Sequence, residues 1–568
     1  MGTPLKIMNQ KLKIGLMLDS FNIPAWVYSV IQRIQLGNSG QFSLVILNDG
    51  NRSNSHSSSG VNLYSMLNRV DEKLFSKKPD PNHVMNAKEL LAEVPVLSVA
   101  PKDDGEILFL GEADLDAIRD YQLDILVKFG IAGLMLEALN VSKYGTWFYY
   151  HGDDRLMKCG PPGFWEVVEN WSETGAAIIA MGGRFSPNRV LFRSHFFTYP
   201  LSPARHRSYY FWATTTFLPR QIERLHSLGE EKFLQETEKF NRALLRKVKN
   251  YEEPSNQVTL QSAGKLVRRL MAEFFKRVLW VDQWYLLFSF QKDQANNFNE
   301  YRKLIPGRDV FWADPHVIHT NGKYYIFIEE YSRKNRKGHI SVIELDEQGN
   351  ASSPVTILEK DYHLSYPFVF EWQGVFYMVP ESLQNRTIDL YQCVEFPHTW
   401  VHNQCLMENV SAVDTTLIQF AGRWWLFTAI AENEAGAPNV ELFLFSREHL
   451  LEGDWKAHPQ NPIVSDVKCA RPAGSIFLKE GKLFRPSQDC SHLYGYGFDL
   501  NEVTVLSEKN YSERKTLSVR PGWDEKILGT HTYAKKDNLT IIDVFTHIRK
   551  FAKNASVGVM HKPDKKTF

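Results

Sequence analysis

The stretch WADPHVIHTNGKYYIFIEE, residues 312–330, reads as two strands joined by an Asn-Gly turn. The chain then repeats it. SYPFVFEWQGVFYMVPES follows at 365–382, VDTTLIQFAGRWWLFTA at 413–429 and ARPAGSIFLKEGKLFRPSQD at 470–489, with a worn fifth copy, THTYAKKDNLTIIDVF, at 530–545. Aligned on Pro315, Pro367, Thr415, Pro472 and His531, the copies lie 52, 48, 57 and 59 residues apart. Several strands per unit at such a period predict a β-propeller of five blades. In a propeller the innermost strands surround one axis. Residues at matching places in the repeats therefore converge, however far apart they are in sequence.

Outward from the repeats, the chain is long enough for more than one core, at 568 residues. Lys and Arg number 66 against 65 Asp and Glu, so no global field favours nucleic acid. The five cysteines, Cys159, Cys393, Cys405, Cys469 and Cys490, are scattered without metal-type spacing, which suits a reducing compartment. No signal peptide and no run of eighteen apolar residues is legible. The expected location is cytoplasmic, at the inner face of the membrane if the helix described below lies on it.

The first half reads differently. LKIGLML, AWVYSVIQRIQ and FSLVILN, within residues 12–48, alternate strand, helix, strand. GNRSNSHSSSG (50–60) reads as a polar loop. A helix at 114–122, strands at 123–130 and 146–152, a helix at 164–175, strands at 176–181 and 189–197, and helical, charged sequence over 214–250 complete it. Such alternation predicts a mainly parallel sheet flanked by helices. The order of features over 12–235, with YYHGDDRLMKCGPPGFWEVVENWSETGAAI and ATTTFLPRQIERLHSLGEEKFL, resembles folate-dependent formyltransferases. The resemblance puts His151 at the catalytic histidine and implies formyltetrahydrofolate as cofactor if the domain is active. Tyr149 stands where that family has Asn, and SPNRVLF (186–192) offers Asn188 where it has Asp. A fold retained without formyl transfer is expected, with His151 a structural residue.

QSAGKLVRRLMAEFFKRVLW (261–280) reads as an amphipathic helix, either a linker packed between domains or a peripheral membrane contact. QWYLLFSF (283–290) is expected to complete the last blade. The predicted organisation is multidomain, α/β followed by all-β: a formyltransferase-like α/β domain at 1–235, a helical connector at 236–282, a five-bladed β-propeller at 283–555 and a polar tail at 556–568.

In register, the copies place Asp314, Tyr366, Asp414, Arg471 and His531 at matching positions, with Glu329, Glu330, Glu381 and Asp489 one strand on. Asp-Pro-X-Val followed by Asn-Gly-Lys-Tyr-Tyr resembles the first blade of five-bladed glycosidases of the arabinanase and β-xylosidase type. That resemblance implies Asp314 as base and Asp414 as its electrostatic partner. The family's acid, a Glu at the head of blade four, is replaced by Ala470, with Arg471 beside it. Glu381 is then the candidate acid. An arginine pairs with carboxylate or phosphate and suits an anionic substrate or a diphosphate leaving group. KGHISVIELD (337–346), LSYPFVFEWQG (364–374), AVDTTL (412–417) and GTHTY (529–533) resemble the N-terminal region of plant glucosamine inositolphosphorylceramide transferases, over residues 300–545. In those proteins the recognised transferase domain lies elsewhere in the chain.

The expected function is a glycosyl transferase of surface-glycan or glycolipid assembly, taking a nucleotide-sugar donor and a carbohydrate or glycolipid substrate. Asp314, Asp414, Glu381 and His151 are the catalytic candidates. Arg471, His531, Glu330, Asp489 and Tyr366 are the binding candidates, and no metal site is expected. The alternatives are a glycoside hydrolase, a sugar N-formyltransferase using His151, and a non-catalytic glycan-binding scaffold.

Overall fold

A computed structural model describes residues 10–49, 62–103, 108–131, 140–155, 157–158, 160–186, 188–241, 249–290, 298–433, 435–436, 438–551 and 558–560. The loop expected at 50–60, Cys159 and most of the tail expected at 556–568 lie outside them. The chain divides into two compact units, Met1–Arg269 and Leu270–Phe568. Among the described residues no helix is long and apolar enough to cross a membrane. The four cysteines described, Cys393, Cys405, Cys469 and Cys490, are free thiols.

The first unit is built on a seven-stranded sheet. Its order is Arg189–Phe197, Glu173–Met181, Thr146–Tyr150, Ile125–Lys128, Leu12–Leu18, Gly40–Asn48 and Val96–Val99. The last five run parallel, while Glu173–Met181 pairs antiparallel with both of its neighbours. The parallel strands are apolar on both faces because helices cover them. Leu16, Met17, Leu44, Val45, Ile46 and Val127 are fully buried. The helix expected at 164–175 is only Trp165–Val168. Asn170 takes a left-handed φ of 59°, which no helix interior accepts, and strand begins at Glu173. Over 214–250 the described residues hold two α-helices, Phe217–Leu228 and Glu230–Thr237, and a third, Pro203–Thr214, ends where the expected stretch begins.

The second unit is a ring of five sheets. Blade one is Val310–Thr320, Lys323–Ser332, Lys337–Asp346 and Val355–Leu358. Blade two is Ser365–Trp372, Val375–Ser382, Thr387–Glu395 and Thr399–Glu408. Blade three is Ala412–Phe420, Arg423–Ile430, Glu441–Arg447 and Lys456–Ala457, and blade four is Phe477–Lys479, Lys482–Asp489, Gly497–Leu506 and Tyr511–Val519. Blade five draws on both ends of the unit. Tyr533–Lys536 and Leu539–Arg549 pair with Trp280–Ser289 and Arg302–Ile305, and Gly558–Met560 adds an edge. The strand expected to close the ring does so, through ten consecutive pairs from Trp280↔Arg549 to Ser289↔Thr540.

Two local devices recur. The hairpin between the first two strands turns on Asn321-Gly322, Gln373-Gly374, Ala421-Gly422 and Glu480-Gly481, all with positive φ, in blades one to four. Two residues at positive φ make the turn whose twist matches the flanking strands. Between the blades, five apolar clusters close the circle. Phe327 meets Met378 and Trp400 across blades one and two, and Tyr377 meets Trp424 and Leu426 across two and three. Trp425 meets Ile476 and Leu483, Phe498 meets Tyr285 and Ile542, and Phe288 meets Trp312 and Ile326 across the remaining three seams. Burying these faces is what holds sheet to sheet.

Candidate active site on the propeller axis

In blades one, two and three the innermost strand is interrupted at one equivalent point. Pairing shifts between Ala313 and His316, between Ser365 and Phe368, and between Val413 and Thr416. One extra residue on the inner strand makes each a β-bulge. The bulged residues are Asp314, Tyr366 and Asp414, at φ of 53°, 41° and 52°. Left-handed backbone at a non-glycine residue costs about 1 kcal/mol or more, and its repetition at three matching positions points to function rather than accident. The bulge re-aims the side chain, and the paired strand supplies a carboxylate fifteen residues on, Glu329 and Glu381.

The side chains form two linked groups. In the first, the Arg471 guanidinium donates from Nε to Asp414 Oδ2 at 2.5 Å and from Nη2 to Asp414 Oδ1 at 3.1 Å and Glu381 Oε2 at 3.3 Å. Gln488 Nε2 donates to Asp414 Oδ2 at 2.8 Å and to the Pro472 carbonyl at 2.9 Å. In the second, His531 stands between two acids, with Nδ1 2.5 Å from Asp543 Oδ2 and Nε2 3.6 Å from Asp314 Oδ1. Asp543 also accepts from the backbone N–H groups of Asp314, His531 and Thr532, and the Thr532 hydroxyl donates to Asp314 at 2.8 Å.

Burial and crowding set the charges. Burial, then the neighbouring Asp414, pushes the Glu381 carboxyl well above the ordinary range. Burial, then Asp314 and Glu381, does the same to Glu329. Burial and crowding thus favour the protonated form of both. Asp314 is pushed up to about 6 by burial, with His531 pulling against it and Asp414 and Asp543 adding to it. For His531, burial favours the neutral ring, yet Asp543 and Asp314 outweigh it and raise the imidazole above its usual value. One end of the axis thus holds a carboxyl that burial and crowding raise, Glu381, beside Asp414 and the Arg471 guanidinium that binds both.

The mouth of this site is aromatic. Trp284, from the strand that closes the ring, stacks on His531 with centroids 4.2 Å apart. Tyr494, 48% exposed, lies with its ring 5.0 Å from the Arg471 guanidinium and edge-on to His531. Gly495, at φ 69°, lets Trp284 in: a Cβ there would lie 2.8 Å from the indole. Trp284 and Tyr494 line a cavity of about 770 Å³ together with Tyr496, Phe545 and His547. Trp284 and Tyr494 thus touch both this cavity and the axial side chains His531 and Arg471.

Of the residues singled out from sequence, Asp314, Asp414, Glu381, Arg471 and His531 come together at this end of the axis. Tyr366 sits deeper. Its buried hydroxyl is 2.9 Å from Thr416 Oγ1 and accepts from the Gly474 N–H at 2.8 Å, tying three blades. Glu330 faces away into blade one, accepting from Ser341 at 2.7 Å and Trp312 at 3.4 Å. Strand alternation makes its neighbour Glu329 the axial one. Asp489 is held by Ser491 and by Arg520 at 2.6 Å. His151 lies apart in the first unit, boxed by Trp26, Tyr149, Tyr210 and Phe211 with centroids 4.4–5.5 Å away, and its Nε2 is 3.2 Å from the Thr214 hydroxyl. Burial pulls its pKa down to about 3. Asn188 is exposed.

Register places Glu329 one strand on without giving it a role, whereas Gln488, Thr532, Asp543, Trp284 and Tyr494 were not among the expected site residues. The equal spacing from Asp314 to Glu329 and from Tyr366 to Glu381 is the signal that marks Glu329 as the counterpart of Glu381. The ligating atoms of Asp314, His531 and Asp543 lie within 4.8 Å of one another, so this trio could hold a metal ion. In the arrangement seen, the same atoms are satisfied by one another and by Thr532.

The chain is similar to proteins of known structure and to curated proteins. Among solved structures it is similar to the exo-1,5-α-L-arabinanase from a bovine ruminal metagenomic library, 15% identical over 45% of this chain and 98% of that one, at a TM-score of 0.30. Among curated proteins it is similar to glucosamine inositolphosphorylceramide transferase 1 of Oryza sativa subsp. japonica, 34% identical over 206 residues, or 36% of this chain. The Arabidopsis thaliana protein of that name is 32% identical over the same length. The matched stretch spans about a quarter of each plant relative, 27% of its length. Residues 306–539, covering all of blades one to four and the inner strand of blade five, match the family model described as glucosamine inositolphosphorylceramide transferase 1, N-terminal.

Proposed function

We propose that the propeller is the sugar-handling module of a glycosyl-transferring enzyme of glycolipid assembly, acting at the bulged end of its axis. The observation that carries this is Glu381, whose carboxyl burial raises, held with Asp414 on Arg471 next to Asp314 on the His531–Asp543 pair. Asp314 accepts the proton of an attacking hydroxyl, and His531, fixed by Asp543, stabilises the charge that moves there. Glu381 is the proton donor that blade four lacks. Arg471 fixes Asp414 and holds Glu381 in place. Because this guanidinium already spans two carboxyl groups, an anion would have to displace one of them. With Arg471 and His531 already matched by Asp414 and Asp543, the site suits a neutral or amine-bearing sugar better. The names of the plant relatives point the same way, to a transferase of glucosamine.

The test is incubation with nucleotide-activated amino sugars and a lipid-linked saccharide acceptor, with products read by mass spectrometry. Asp314→Asn and Glu381→Gln should each lower turnover by roughly 10²–10⁴-fold, the usual worth of a positioned acid or base. Turnover unchanged in both variants would place the chemistry elsewhere. Saccharide binding without turnover, whatever the donor, would leave a scaffold. The raised Glu381 carboxyl also favours a second reading, hydrolysis of a glycosidic bond with Glu381 as acid and Asp314 as base. Release of sugar from an aryl glycoside, lost in the same two variants, would decide for it.

A further inference from the structure

From Met271, the helix Asn256–Leu279 carries Met271, Phe274, Phe275, Val278 and Leu279 at i, i+3, i+4, i+7 and i+8. That spacing makes one continuous stripe, the stripe a globular protein turns toward its core. Here it faces solvent, with exposures of 50%, 59%, 53%, 43% and 47% in that order. Two phenylalanines and three aliphatic side chains in one exposed row exceed the scatter of single apolar residues on a protein surface. Beside the stripe lies a groove of about 800 Å³, lined by Phe275, Leu279, Trp280 and Ile305 among others. Lys276, Lys303 and Lys526 line the same groove.

We propose that this stripe and groove dock on the surface of an anionic phospholipid bilayer. The charge around the patch selects that occupant. Lys276 and Arg277 end the helix, and Lys550 donates to the Arg277 carbonyl at 2.5 Å while Arg549 lies 5.5 Å from the Trp280 ring. Of the nearby acids, Glu273 is paired with Arg277 at 2.8 Å and Asp524 with Lys303 at 3.8 Å, so the surplus is positive. A second copy of the chain would bring the same positive surplus against the first. Lipid headgroups bring the opposite charge, with an apolar layer beneath for the phenylalanines. The groove also shares Lys276, Asp524, Leu528 and His547 with the cavity that Trp284 and Tyr494 line. A bilayer at the groove therefore lies next to that cavity, where a lipid-borne saccharide would enter. The docking stands without the proposed function, whereas delivery of a glycolipid to the axis rests on it.

The experiment is co-sedimentation of the full chain with vesicles of phosphatidylcholine alone or mixed with phosphatidylserine, at low and high salt. Pelleting with the anionic vesicles is expected, falling with salt and reduced roughly tenfold by Phe274→Asp with Phe275→Asp. Lys303→Glu with Lys526→Glu should remove the preference for phosphatidylserine. These side chains are at least partly exposed, and an unchanged thermal melt checks that each variant folds. Should the phenylalanine pair fail that check, Met271→Ser alone should lower the pelleted fraction. Equal pelleting with and without anionic lipid overturns the proposal. So does a dimer, seen by light scattering, that the same substitutions dissolve. Transfer to a soluble acceptor by a protein that ignores vesicles would sink the docking alone. Docking with no transfer would sink only the functional reading.

Discussion

His531 and His151 are both histidines near strand ends, enclosed by aromatic rings, and their surroundings make them opposites. His531 has a carboxylate on each side and Trp284 stacked on its face. His151 has four aromatic rings and one threonine hydroxyl. Charge neighbours raise the first imidazole, and burial alone lowers the second to about 3. A histidine becomes a chemical group through what can share its proton. By that measure the propeller axis has the makings of an active site, and the strand end in the first unit has those of a packing site.

The comparison can be broken most forcefully at Asp543. Its carboxylate is fully buried and takes three backbone N–H groups as well as His531. Asp543→Ala removes the nearer of the two carboxylates beside the buried His531 and leaves those donors unpaired, and should cost about 3–5 kcal/mol in urea unfolding. A loss under about 1 kcal/mol would mean the pair is not formed.

The next effect is in pH. A raised imidazole binds its proton more tightly folded than unfolded. His531 therefore contributes stability in full below the unfolded value of about 6.5, and that contribution fades as pH rises through the higher folded value. His151 is depressed, so the unfolded chain takes up the proton first. Stability is lost as pH falls from about 6.5 toward 3. Unfolding free energies of the protein and of His531→Gln should converge on the alkaline side, whereas those of the protein and His151→Gln should change relative to one another on the acid side. The slope is up to about 1.4 kcal/mol per pH unit for each group. Parallel curves for both variants would erase the distinction between the two histidines.

The smallest effect is expected at His151→Phe. It completes the aromatic box at the loss of one contact to Thr214, and should change stability by less than about 1.5 kcal/mol. Glycosyl transfer should be untouched. Formylation of an amino-sugar nucleotide by the unaltered protein with formyltetrahydrofolate, abolished by this substitution, would reverse the assignment.

The ring was legible because its signals are local. A strand, a two-residue turn at positive φ and a second strand repeat with enough fidelity that Asn321-Gly322, Gln373-Gly374 and Ala421-Gly422 announce themselves. The gathering of Asp314, Asp414, Arg471 and His531 followed from register alone. What stayed hidden depends on geometry that register does not carry. Strand alternation sends Glu329 to the axis and Glu330 away from it, and nothing in the residue types marks the bulge that re-aims Asp314. The partners of Arg471 lie 57 and 90 residues away, so an arginine read as open to an anion is instead held by two carboxyl groups. In the first unit the apolar spacing of 164–175 suggests a helix, but Asn170 stops it and the β-sheet claims Thr174 and Gly175.

The closing strand has a consequence for synthesis. Trp280–Ser289 emerges from the ribosome well before its partner Leu539–Arg549, and every blade between them is made first. Any nascent chain shorter than residue 539 therefore carries a long apolar edge with nothing beside it, a template for adhesion to other chains. The same strand brings Trp284 to His531. The aromatic mouth of the site is thus assembled in the act that seals the ring, so a partly made chain is both sticky and without that mouth.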